Sequence, residues 1–458
     1  MKKKYNFITI LSAAFLITAC AEGEDNNTAG NEIDNNNNHN MEENNADDNH
    51  NMNEDNEEHN NNDHMNNQNE EGNNDEMNDH GHSEEQHEEF ASAPENMNEN
   101  ASDNLMHFQT KNVTRLDADS PVDMSIYTSQ LVWPATHEEN QPGTVILAPV
   151  DDWQKSLVST TLIHHPNDGP VLFMEDGDFS EEVLTELERL NPKGNDNGTE
   201  VMVIGEVQDD ALSELDEYNI EEFDADNAAA FAAEVDEYFS ELVDEVPEAV
   251  LIASSEEEAK LYSLIASNWI AHMNESLLFV DDNGVPEETA EALEKRDGDA
   301  KMFLLGSDEV IGEDTIDALQ EYGEAERIDG DSPEEMSIEF AKYRDEETTV
   351  GWGQEEPGHG LSFISTETPE MAITGSALGH LGKHAPLVWL EDGEISDGLY
   401  DYLADTRPTF EDDPMDGPYN HTYLLADTDT VTFEIQGILD EKLEIAGEHG
   451  DHGGHGGH

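Results

Sequence analysis

Four histidines recur at every third position of the extreme C-terminus: His449, His452, His455 and His458, spaced by glycines and Asp451. Such a tract can wrap a single ion, because glycine imposes little on the backbone and neutral imidazole suits zinc, copper or nickel. Seven more histidines, His39, His50, His59, His64, His80, His82 and His87, are scattered through an Asn- and acid-rich N-terminal stretch. They read either as loose, multi-site capture of zinc or another divalent metal, or as soluble polar tails. An affinity tag would be an uninterrupted run. A second constellation is acidic: Glu175-Asp176, Asp281-Asp282 and Glu391-Asp392 each end an apolar run. Paired carboxylates at the carboxyl ends of parallel strands could offer hard oxygen ligands to calcium. The plainer reading, preferred here, is a solvated turn, with Gly177, Gly284 and Gly393 reversing the chain.

His164, His165, His272, His380 and His384 fall near the ends of helical patterns. His380 and His384 are four apart and could share a helical face, but there is no His-Glu-x-x-His motif. The preferred reading is a favourable contact with the helix dipole. Gly375, Gly379 and Gly382 form no phosphate-binding fingerprint and are expected to permit close packing. Trp133, Trp153, Trp269, Trp352 and Trp389 are expected in the core. No Gly-x-Ser-x-Gly elbow occurs, and Cys20 is the only cysteine. No set of nucleophile, base and orienting group can be assembled, so a non-enzymatic protein is expected.

These residues must be positioned by a chain of 458 residues with 110 acidic and 18 basic side chains, a formal charge of −92. Duplex nucleic acid is excluded as a partner, because such binders need a basic footprint. Lys2, Lys3 and Lys4 precede an apolar run from about Phe7 to Ile17, too short to span a bilayer. The run ends in Leu16-Ile17-Thr18-Ala19-Cys20, which resembles a bacterial lipobox. That resemblance implies a signal peptide over 1–19, a lipidated Cys20 at the mature N-terminus, and anchoring on the extracytoplasmic face of the cell membrane. From Ala21 to Asn104 there are 26 acidic residues, and no Lys or Arg between Lys4 and Lys111. This composition cannot bury enough apolar area to fold, so 20–110 reads as an extended, disordered spacer.

The texture then changes. Apolar runs of strand length alternate with helical patterns, with a period of about 105 residues. An opening segment recurs as Thr114–Asp119, Glu222–Asp226 and Arg327–Asp331. A first strand follows in each copy, at Thr144–Ala148, Ala249–Ala253 and Leu361–Ser365. The second strands end in the acidic pairs, and the third lie at Val201–Gly205, Met302–Gly306 and Thr422–Ala426. Continuous apolar strands predict parallel sheets buried on both faces. The repeats are placed at 111–221, 222–326 and 327–446, and the His/Gly-rich tail at 447–458.

Several of these positions fit one pattern: Arg115 and Arg327 with Asp119 and Asp331, Pro170-Val171-Leu172 and Pro386-Leu387-Val388, and Val203-Ile204-Gly205 and Leu304-Leu305-Gly306. The pattern resembles the type 2 cell wall-binding repeat family of Gram-positive surface proteins. The resemblance implies an α/β fold of three tandem Rossmann-like or flavodoxin-like repeats with parallel sheets. It also implies non-covalent attachment to an anionic cell wall polymer. Arg115, Lys155, Arg327 and Lys383 are the expected polymer contacts. The sequence departs from the pattern at Pro121-Val122-Asp123, at Lys155, at Glu222 and at Ser276. Outside the spacer and tail, about 82 acidic residues face 15 basic ones. Such an excess suits a protein bathed in brine, where the Debye length falls to about 3 Å at 1 M salt. The expected function is a lipid-anchored envelope protein of the cell wall. The alternative is a zinc-sequestering lipoprotein acting through its His-rich tails.

Overall fold

The computed structural model describes residues 87–88, 90–94, 107–411 and 413–447. Cys20, nearly all of the expected spacer, and His449, His452, His455 and His458 lie outside them. Among the described residues no helix is long and apolar enough to cross a membrane.

The apolar runs form strands. In chain order these are β1 (Val113–Leu116), β2 (Val145–Pro149), β3 (Val171–Met174), β4 (Val201–Ile204), β5 (Ile220–Phe223), β6 (Ala249–Ser254), β7 (Ser276–Val280), β8 (Ala300–Leu305), β9 (Gly323–Ile328), β10 (Gly360–Ser365), β11 (Leu387–Leu390), β12 (Thr409–Phe410), β13 (His421–Leu425) and β14 (Ala446–Gly447). They make three four-stranded parallel sheets, β3-β2-β4-β5, β7-β6-β8-β9 and β11-β10-β13-β1, and a short β12-β14 pair. Every residue of β2, β6 and β10 is buried, as expected of parallel strands covered on both faces. Edge strands β5 and β9 alternate instead between buried or half-buried and exposed positions.

The recurring opening segment overlaps a strand, and in its second and third copies that strand joins the sheet that precedes it in the chain. β5 completes the first sheet and β9 the second. β1 stands at the other end of the folded chain and completes the third, with Val113 opposite Thr422 and Leu116 opposite Leu425. The three lobes therefore close into a ring. Each opening strand is followed by a helix that crosses to the next lobe. Helix Pro121–Val132 lies on β3, Ala228–Val243 on β7, and Pro333–Lys342 on β11. Ser125 Oγ accepts from the Phe173 amide (3.3 Å) and Ser337 Oγ from the Trp389 amide (3.1 Å), so the first and third crossings share one contact.

Local sequence starts these helices in the same way. Ser120, Asn227 and Ser332 are extended N-caps whose side chains accept from the amides of Asp123, Ala230 and Glu335. Pro121 and Pro333 stand at the first helical position, where no amide is needed. The departure at Pro121-Val122-Asp123 is thus a sound helix start.

A second set of helical segments, 153–163, 264–272 and 371–382, follows β2, β6 and β10, and the three meet between the lobes. Their small residues permit this approach: a Cβ on Gly379 would stand 2.4 Å from the Asn268 carbonyl oxygen. Asn268 Nδ2 donates to the Ala385 carbonyl (2.8 Å), and Trp389 Nε1 reaches the Leu261 carbonyl (3.0 Å) across lobes. Trp133, Trp153, Trp269 and Trp389 are buried, as expected; Trp352 is half-buried against the same core.

The end of the expected spacer departs from an extended tether. His87 pairs with Asp405 at 2.9 Å, and Lys442 Nζ bonds the Phe90 carbonyl. The Phe90 ring lies under the Arg407 guanidinium (3.9 Å) and the Lys442 ammonium (4.3 Å). Phe90 is the only aromatic residue between Ala21 and Asn104. A cation–π seat on the third lobe gives this stretch an anchor that composition alone does not reveal.

Arg115 fastens the ring. It is 3% exposed, and its guanidinium donates to Gln436 Oε1 (2.8 Å) and to the carbonyls of Ala426 (2.9 Å), Asp427 (2.8 Å) and Thr432 (3.3 Å). In R115A these acceptors lose their donors, and stability measured by urea unfolding should fall by roughly 3–5 kcal/mol. R115K should recover only part of it, because an ammonium lacks the planar fork. A loss under about 0.5 kcal/mol would show that closure does not depend on this residue.

Candidate functional site

β1, β10 and β13 start side by side, so their amino ends gather residues far apart in sequence. Lys111, Asn112, His359, Lys383, Tyr419, Asn420 and His421, with Gly358 and Gly360, line a cleft of about 280 Å³. Asn420 shapes it. Its Oδ1 accepts from the amides of Gly358 (2.7 Å) and His359 (3.2 Å), while Nδ2 donates to the Thr406 carbonyl (2.8 Å). Gly358 takes φ of +113°, a conformation open to glycine.

No carboxylate lines this cleft, in a chain with 110 acidic residues. A larger cleft of about 530 Å³ between the first and second lobes is the opposite case, lined by Glu221, Glu222, Glu234, Glu237, Glu241, Glu288 and Glu291. At the basic cleft, burial lowers the pKa of His359, and burial followed by the Lys383 charge lowers that of His421 to about 4. Both imidazoles are therefore neutral at neutral pH, and the positive charge is that of the two lysines. Lys111 is paired with Glu444 and lies 3.8 Å from Asp440. Lys383 is exposed and makes no ion pair among the described residues. Tyr419 presents a ring that is 57% exposed. A free ammonium, amide and imidazole groups and one aromatic face suit an anionic, hydroxyl-bearing ligand.

The structure does not bring the four expected polymer contacts together. Arg115 lies in the third lobe, used internally as described. Arg327, its counterpart at the second sheet, bonds the Gly306 carbonyl and donates to the Ile311 carbonyl (2.6 Å), with Glu313 at 3.6 Å. Lys155 belongs to the first lobe. Burial works against its charge, but Asp224 at 2.7 Å and Asp152 at 3.7 Å outweigh it and raise its pKa. Of the four, Lys383 alone lines the basic cleft. Its companions there carry no common motif: they converge only because β1 crosses the ring.

The acidic pairs occupy tight turns. Glu175 pairs with Asp178, Asp281 with Gly284 and Glu391 with Glu394 across them. Asp176 with Gly177, and Asp392 with Gly393, take positive φ, as two-residue hairpin turns require. Among the described residues no three His, Cys, Asp or Glu side chains are gathered as metal ligands. Two of the five histidines at the helix ends differ from the dipole reading. Burial and then the neighbouring His380 lower His164 to about 4, and burial and then His384 and His380 lower His272 to about 4. Neutral rings gain little from a helix C-terminus.

No protein-family model matches the chain, and no curated protein matches it in sequence. Solved structures do share its fold. Cwp6 from Clostridium difficile superposes with a TM-score of 0.59 at 16% identity, over 73% of this chain and 48% of that one. Cwp8 from Clostridium difficile gives 0.56 at 13% identity, over 73% and 52%. Both are cell wall proteins. At such identity the likeness is one of fold, and this chain matches only about half the length of either.

The charge of Lys383 can be read through its neighbour. His421 should titrate near pH 4 by NMR, and K383A should move it upward, because a nearby cation disfavours the imidazolium. A His421 that titrates near 6.5 in the parent, or is unmoved in K383A, would remove Lys383 from the cleft's electrostatics.

Proposed function

We propose that this chain is a non-enzymatic, lipid-anchored surface protein of the cell envelope that holds an anionic wall polymer. The observation that carries this reading is the basic cleft at the amino edge of the third sheet, with no carboxylate in its lining. The fold shared with two cell wall proteins supports it, as does the lipobox-like Leu16–Cys20. The corresponding edges of the other lobes lack the feature. Where the third sheet has His421, the second has Lys301, held by Glu324 (2.6 Å) and Glu347 (3.6 Å). The first has Glu200, which accepts from Asn219. Polymer binding is therefore assigned to one lobe, with the other two completing the ring.

A polyanion meets net repulsion from the acidic surface at low salt. Salt screens that distant repulsion, while contacts a few ångströms from Lys383 survive at a Debye length of about 3 Å. Retention should therefore strengthen towards molar salt, opposite to ordinary polyanion binding. This suits an extracytoplasmic setting in brine.

Sedimentation of the lipid-free mature chain with purified walls tests the reading. We expect it to pellet more completely at 1 M salt than at 0.1 M, and K383E to bind roughly tenfold more weakly, the loss of about one charge-assisted contact. K383E breaks no ion pair among the described residues and should fold as the parent does. No pelleting at any salt concentration, or equal pelleting of K383E, would end the proposal.

A further inference from the structure

The seat that holds Phe90 on the third lobe is an unfavourable gathering of charge. Arg407 follows helix Asp397–Asp405, and Lys442 ends helix Phe433–Lys442. Both approach one ring, at 3.9 Å and 4.3 Å from its centre. Neither makes an ion pair among the described residues. Burial lowers the pKa of both; the Glu441 charge opposes this at each, and at Lys442 the Arg407 charge adds to it. Arg407 Nε is buried and has no hydrogen-bond partner among the described residues. A desolvated charged donor left unpaired is destabilising, and a phenyl ring with one carbonyl does not neutralise two cations.

The occupant is lightly held. His87 meets Asp405 at 2.9 Å, but their side chains are 25% and 49% exposed, and such pairs contribute little. Lys442 Nζ donates to the Phe90 carbonyl, and the ring is only half-buried. Glu88 and Glu89 precede the ring, so the arm is itself acidic.

The seat also adjoins the basic cleft. Thr406, next to Arg407, accepts from Asn420 Nδ2 through its carbonyl (2.8 Å). Asp440, two residues before Lys442, accepts from the Asn112 amide at Oδ1 (2.7 Å) and from Asn112 Nδ2 at its carbonyl (2.9 Å). Asn112 and Asn420 both line the cleft. The same two stretches of chain therefore support the cleft wall and carry the cations of the seat. A polyanion repeats its charge along its length, so a polymer held in the cleft brings further anionic groups towards them.

We propose that Arg407 and Lys442 form a second anion subsite for the wall polymer, and that residues 87–94 occupy it until the polymer displaces them. This rests on the wall-binding reading and adds regulation to it. An anionic oxygen between the two cations satisfies Arg407 Nε and replaces cation–π contacts with stronger charge-assisted hydrogen bonds. Competition is reciprocal. The arm weakens the hold on the polymer, and the polymer frees the arm from the lobe. Because the arm belongs to the stretch between Cys20 and the folded region, wall attachment is coupled to the tether.

Pelleting of the lipid-free mature chain with purified walls at 1 M salt tests this. F90A removes the ring without changing the charge. It should bind roughly fivefold more tightly than the parent, the worth of about one partly buried cation–π contact. F90A/R407Q should lose that gain. A peptide of residues 84–94, at the millimolar concentration that a tethered arm attains, should reverse the gain of F90A, and the same peptide carrying F90A should not. If the parent pellets and F90A binds equally or more weakly, the subsite is overturned while the wall-binding reading stands. A gain kept in F90A/R407Q, or untouched by the peptide, places the arm's effect elsewhere and also overturns it. If circular dichroism shows that F90A/R407Q does not fold, the peptide decides. No pelleting by any of these chains ends both proposals.

Discussion

The third sheet is incomplete until the first strand of the folded region reaches it. β10, β11 and β13 leave one edge of β13 open, and β1 fills it from more than three hundred residues upstream. Because the helix after β1 then packs on β3, one pairing fixes the third lobe to the first and closes the ring. Such a contact carries a large loop-closure entropy, so it must be backed by interactions that do not fray. Arg115 supplies them by occupying four acceptors, just past β13 at Ala426 and Asp427 and at the start of the following helix at Thr432 and Gln436.

The same economy of positive charge runs through the molecule. Arg296 and Asp236, with side chains at most 1% exposed, form a two-point ion pair between the turn after helix Glu287–Glu294 and helix Ala228–Val243. Arg189 binds Glu186 (2.6 Å) and the carbonyls of Trp133 and Pro134. Lys260 ties the second lobe to Glu370 of the third at 2.6 Å. Breaking a buried pair leaves an uncompensated charge, so these few cations hold register while the surface remains almost wholly acidic. A cleft whose lining has no carboxylate, and whose Lys383 makes no ion pair among the described residues, is therefore a departure from the rest of the molecule.

Closure also creates the basic cleft and gathers the histidines at the helix ends. The amino ends of β1, β10 and β13 meet only in the completed third sheet, which brings Lys111 and Asn112 beside His359, Lys383 and His421. The three helix ends meet only when the lobes surround them, which brings His164, His272 and His380 together. Neither group shares a local motif.

Much of the fold was legible in the chain. The apolar runs marked nine of the strands at or near their positions, because a strand buried on both faces must be continuously apolar. The helix starts at Ser120, Asn227 and Ser332 rest on local hydrogen bonds from each cap to an amide three residues on. The turns at Asp176-Gly177 and Asp392-Gly393 followed from the need for positive φ. What the sequence could not disclose was partnership. The opening segments looked like the start of their own repeats, yet the second and third end strands of the preceding sheet and the first lies on a strand of the third sheet, since strand pairing depends on edges that exist only after folding. Arg115 and Arg327 looked like surface contacts for a polymer, yet burial turned them into internal donors. Residues hundreds of positions apart acquire a common site only when chain entropy is overcome by tertiary packing, and that step leaves no periodic mark in the sequence.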